Sequence, residues 1–101
     1  MKKLLLFSVI LLALNNEASA FLIEANCNFN QSQGRCTVWN NYNRPIFCRF
    51  EAAGLTYLGF WIEAWQDAVI PPRANGTLRV FATNPNNDPL VQVNGRADCN
   101  F

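Results

Sequence analysis

The side chains that ordinarily do chemistry are scarce in this sequence. Histidine is absent, which removes the usual general base, the commonest zinc ligand and any Ser-His or Cys-His nucleophile pair. Beyond residue 20 the only serine is Ser32, which falls in a predicted hairpin turn. The cysteines at 27, 36, 48 and 99 contain no Cys-x-x-Cys pair, so neither a zinc ribbon nor a thioredoxin-like centre is indicated. Asp88 lies among Asn84, Asn86 and Asn87 but lacks the regular carboxylate spacing and the bidentate acid of a calcium loop. Asn30-Gln31-Ser32 and Asn75-Gly76-Thr77 match a glycosylation sequon, yet both sit in turns that favour these residues anyway.

Hydrolysis would need a carboxylate pair, and Glu51 and Glu63 are the natural candidates. A hairpin centred on Gly54 would set Glu51 opposite Tyr57 and Glu63 opposite Pro45. At about 3.3 Å per residue that register separates the two carboxylates by roughly 20 Å, well outside the ~5 to 9.5 Å of glycosidases. No catalytic residue, metal site or cofactor is expected.

Aromatic residues alternating with arginine are what remains. The same register puts Cys48 beside Phe60 and Phe50 beside Leu58 in the core. It leaves Phe47 opposite Trp61 outside, with Arg49 diagonally between Tyr57 and Trp61. If the sixth strand borders the third, Arg79 and Phe81 join them. The expected binding face is therefore Phe47, Arg49, Tyr57, Trp61, Arg79 and Phe81, residue types that supply binding energy where Lys and Glu do not.

The elements that must position this face are short strands. The N-terminus reads Met1-Lys2-Lys3, then apolar Leu4 to Leu14, then Ala18-Ser19-Ala20. That pattern is a secretory signal peptide over residues 1–20, cleaved after Ala20 and too short to span a bilayer. The domain is then 21–101, with six arginines, no lysine and six acids. A neutral chain of this kind excludes electrostatic binding to nucleic acid or to an anionic membrane, and no membrane insertion is expected.

Period-two alternation broken by Asn, Gly and Pro predicts seven strands, at about 22–29, 34–40, 45–52, 56–63, 66–70, 77–83 and 90–100. Core positions are Ile23, Ala25, Cys27 and Phe29; Cys36 and Val38; Ile46, Cys48 and Phe50; Leu58, Phe60 and Ile62; Leu78, Val80 and Ala82; and Val91, Val93, Ala97, Cys99 and Phe101. Asn94-Gly95 interrupts nothing in this phase, so the last strand is read as continuous, with a bulge. All four cysteines face inward, and two disulfides are expected in a small exported chain. Of three connectivities, a turn at Tyr42 favours Cys36 with Cys48, and a first strand parallel to the last favours Cys27 with Cys99. A tight hairpin at Gln31-Ser32 would instead pair Cys27 with Cys36.

The run Ile70-Pro71-Pro72, the turn Asn75-Gly76-Thr77 and the strand Leu78-Arg79-Val80-Phe81-Ala82-Thr83-Asn84 resemble an immunoglobulin-like sandwich of the fibronectin type III sort. The export signal, size and four cysteines likewise resemble small secreted bacterial proteins without an assigned activity. The resemblance implies an all-β, single seven-stranded immunoglobulin-like β-sandwich with two disulfides, in a superfamily that mostly binds rather than catalyses. The expected function is that of a secreted or periplasmic, non-catalytic binding module for a protein or carbohydrate partner. The alternative is a structural envelope component, or a homodimer subunit, without a specific ligand.

Overall fold

The computed structural model describes residues 20–101, so the expected signal peptide, apart from Ala20, lies outside the described residues. Alternation resolves into β1 (Phe21–Glu24), β2 (Asn26–Phe29), β3 (Gln33–Trp39), β4 (Ile46–Thr56), β5 (Trp61–Ile70), β6 (Asn75–Phe81) and β7 (Leu90–Asn100). They form a four-stranded sheet in the order β1-β7-β4-β5 and a three-stranded sheet in the order β2-β3-β6. Every pairing is antiparallel. One segment serves both sheets: at Ala25, whose N–H donates to the Gly95 carbonyl (3.0 Å), the chain leaves β7 and passes to β3. Such a crossing strand ties the layers together at a corner.

Between the sheets the inward residues pack into one core. Phe50, Ile46, Ile70, Val38, Cys36 and Cys99 are the largest of its fully buried apolar members. Each disulfide lies within a sheet between directly opposed residues: Cys27–Cys36 joins β2 to β3, and Cys48–Cys99 joins β4 to β7. The expected 36–48 and 27–99 pairs are therefore incorrect. The reason is topological: β1 runs antiparallel to β7, and the chain has changed sheets before it reaches Cys27.

The central hairpin departs most from expectation. Its turn is not at Gly54; β4 continues to Thr56, and the expected strands 56–63 and 66–70 are the single strand β5. Gly54 serves sheet packing instead, since a Cβ there would stand 2.9 Å from Leu90 Cδ2. The residue that makes the turn is Gly59, with φ of 97°, a conformation that L side chains avoid. Register follows: Phe47 pairs with Val69, Arg49 with Asp67, Glu51 with Trp65, and Leu55 with Trp61. Leu58 and Phe60, expected in the core, are exposed in the turn.

Three further core assignments shift. Val91 is exposed because β7 bulges there: Leu90 pairs with Thr56 and Gln92 with Leu55, leaving Val91 as the extra residue. The bulge is thus not at Gly95. Phe29 is exposed at the end of the edge strand β2. Phe101 leaves the core for a surface cluster with Phe21 and Tyr42, ring centroids 5.2 and 4.9 Å away, under the Arg44 guanidinium.

Asn40 is fully buried, and its role was not legible in the sequence. Its Nδ2 donates to the carbonyls of Arg44 (2.9 Å), Ile70 (3.0 Å) and Pro71 (3.0 Å), while its Oδ1 accepts from Tyr42 N–H (2.9 Å). One amide thus joins the loop after β3 to the end of β5 and the turn that follows it, giving buried backbone groups a partner.

Candidate binding face on the four-stranded sheet

Side chains pointing away from the core on β1, β7, β4 and β5 form cross-strand rows. One reads Leu22, Asp98, Arg49, Asp67; the next Glu24, Arg96, Glu51, Trp65; then Asn94, Ala53, Glu63; then Gln92, Leu55, Trp61. At the opposite end Asn100, Phe47 and Val69 make a further row. Glu24, Glu51, Glu63, Asp67 and Asp98, five of the six acids beyond residue 20, lie on this face against Arg49 and Arg96. Among the described residues, the outward side of the three-stranded sheet carries no acid, and Arg35 and Arg79 stand directly opposite each other. Residues 21–101, with six arginines and six acids, are thus polar across their thickness.

Of the expected binding residues, Phe47, Arg49 and Trp61 share this outer face, but Phe47 and Trp61 are not a pair and stand at opposite ends of it. Tyr57 belongs to the β4–β5 turn. Arg79 and Phe81 do not join the face, because β6 pairs with β3 in the other sheet rather than bordering β4. The residue missed is Trp65. It falls in the gap between the expected strands 56–63 and 66–70. Unbroken alternation of Trp61, Glu63, Trp65, Asp67 and Val69 is the signal that could have found it.

Trp65 is 62% exposed, with the Arg49 guanidinium 4.4 Å from its ring centroid. Arg49 Nε in turn donates to Asp67 Oδ1 at 3.2 Å. A half-exposed ion pair adds little stability. What this relay does is hold the indole in one orientation. Beside Trp65 lies an open concavity of about 650 Å³, whose floor is Ala53 and whose polar rim includes Glu51, Glu63, Asn94 and Arg96. Arg96 Nε stands 3.5 Å from Glu51 Oε1.

The true register also corrects the carboxylate argument. Glu51 is opposite Trp65, so Glu63 is its diagonal neighbour rather than being roughly 20 Å away. Diagonal positions lie about 7 to 8 Å apart, a spacing that inverting glycosidases use. The surroundings are wrong for that chemistry. A general acid needs an apolar enclosure that preserves its proton, whereas Glu63 is exposed on an open rim and Glu51 faces Arg96. These carboxylates are hydrogen-bond acceptors open to solvent. Asp88 likewise has a structural partner, accepting the Leu58 N–H at 2.7 Å.

No family model, curated protein or solved structure matches this chain.

Proposed function

We propose that the protein is a secreted or periplasmic, non-catalytic binding module whose outer four-stranded face takes a carbohydrate, with Trp65 as the anchor. The observation that carries this reading is a half-open indole, fixed by Arg49, beside a concavity edged with the carboxylates of Glu24, Glu51 and Glu63, an amide and a guanidinium. A sugar ring offers an apolar C–H face for an aromatic platform and a fringe of hydroxyls for such acceptors and donors. Glu24, Glu51 and Glu63 outnumber Arg96 around the concavity, so neutral sugars fit and uronates are repelled. A flat hydrophobic protein epitope would leave the three carboxylates desolvated without partners.

The predicted signal peptide supports export, and the first strand begins at Phe21, immediately after the predicted cut. Two disulfides in so small a domain belong to an oxidising compartment. The β2-β3-β6 sheet facing a sheet that holds β4 and β7, with the first strand divided between them, supports an immunoglobulin-like arrangement. Binding to a panel of neutral and acidic polysaccharides, measured for the parent and for Trp65→Ala, tests the function. A neutral glycan should be retained by the parent and weakened by roughly 30-fold in the variant, the loss of an anchor of about 2 kcal/mol. Equal binding by Trp65→Ala, or retention of acidic glycans alone, overturns the reading.

A further inference from the structure

The β4–β5 turn projects four large apolar side chains from the described surface. Tyr57, Leu58, Phe60 and Trp61 are 70%, 61%, 64% and 54% exposed, and no charged residue occurs between Glu51 and Glu63. Around Gly59 the order is symmetrical. The purely apolar Leu58 and Phe60 are at the apex, and Tyr57 and Trp61, each with one polar atom, flank them. Aromatic residues with a polar tip take up just this position at the boundary between acyl chains and headgroups.

A second, independent observation is the state of the backbone. Thr56 N–H donates to the Phe60 carbonyl (2.9 Å), Tyr57 N–H to Pro89 (2.8 Å) and Gly59 N–H to Thr56 (2.9 Å). Leu58 N–H donates to Asp88 Oδ1 (2.7 Å), and Phe60 N–H to Thr56 Oγ1 (3.0 Å). Five consecutive N–H groups therefore have partners inside the protein. Surface turns normally leave such donors to water, and burying an unpaired one is costly. The donors of this turn can leave water without that penalty.

We infer that the Tyr57–Trp61 turn is a preformed anchor that dips into the interface of an electrically neutral lipid surface. Its apex stands two to three residues beyond the Leu55–Trp61 row, about 7 Å at strand rise, which matches the ~5 to 10 Å depth of interfacial insertion. Charge selects the surface. Asp88 and Glu63, both acidic, are the charges nearest the tip, whereas Arg44 and Arg73 belong to the loops at the other end of the sheets. Anionic lipid would repel the approaching end, so zwitterionic lipid is favoured. The neutral charge that excludes electrostatic recruitment leaves hydrophobic insertion untouched.

Cosedimentation of the exported protein with phosphatidylcholine vesicles, alone and mixed with phosphatidylglycerol, tests this, with tryptophan emission as a second readout. The parent should bind phosphatidylcholine with a blue-shifted emission, and binding should persist in about 1 M salt, where the Debye length is about 3 Å. Phosphatidylglycerol should weaken it. Leu58→Ser/Phe60→Ser alters only exposed side chains and should lower the partition coefficient at least roughly tenfold, with the melting curve and any glycan binding retained. Absence of vesicle binding, equal binding by the double variant, or binding that requires phosphatidylglycerol and disappears in salt overturns the inference. Capture of a protein that is lost in the same variant, without vesicle binding, overturns it too and assigns the turn to a protein groove.

Discussion

Replacing Asn40 by alanine should be among the most damaging polar substitutions in the chain. The side chain is 0% exposed and makes four hydrogen bonds to backbone groups. Removing it takes one partner from the buried Ile70 carbonyl, while the partly buried Arg44, Pro71 and Tyr42 groups recover some hydration. With ~1 to 3 kcal/mol per buried unsatisfied group, the expected loss is about 2 to 4 kcal/mol. For a domain of this size that lowers Tm by roughly 10 to 30 °C. Asn40→Asp sharpens the test, because its carboxylate would face three carbonyl oxygens. The carboxyl would then hold its proton more tightly in the folded than in the unfolded chain, where its pKa is about 3.9. That variant should be least damaged near pH 4 and lose stability as pH rises above it. Thermal melts across pH, with the exposed Asn43→Ala as control at within about 0.5 kcal/mol of the parent, provide the measurement. If Asn40→Ala melts with the control, or Asn40→Asp melts independently of pH, the accounting of backbone partners is wrong.

Two further perturbations separate elements that look alike in the sequence. Phe50→Ala, at a position 1% exposed, should cost about 3 to 5 kcal/mol, whereas Phe60→Ala in the exposed turn should stay within about 0.5 kcal/mol of the parent; chemical denaturation of both would reject the β4–β5 register if they lost stability equally. The Cys48–Cys99 bridge spans 51 residues and Cys27–Cys36 only 9, so paired Cys→Ser replacement should lose about 4 kcal/mol for the first and about 2.5 for the second on loop entropy. Non-reducing peptide mapping of the parent first checks the pairing, and a larger loss at the short bridge would refute the ranking.

Fold class is legible in the residue pattern alone. Alternation with period two, turn residues at regular intervals and cysteines in the inward phase required two sheets around a cross-linked core, and the structure has them. Inward Cys36, Val38, Ile46, Cys48, Phe50, Val80, Ala97 and Cys99 are where the pattern put them, because the side-chain period of a strand depends only on its own backbone. Which strands meet, and in what register, is a property of contacts between distant segments. Gly54 could signal a turn or a close approach of packed side chains, and only Leu90 on the adjacent strand β7, 36 residues away in sequence, with Val80 of the facing sheet, decides for the second. Moving the turn to Gly59 shifted every partner along the hairpin, took Phe60 out of the core, set Trp65 beside Glu51 and brought Glu63 to the same concavity. The same holds for the disulfides and for Arg79: alternation gave their faces, but assignment to a sheet depended on the crossing at Ala25 and on β6 choosing β3. Local periodicity fixes the side of a strand on which a residue stands, and only the packed sheets decide what stands next to it.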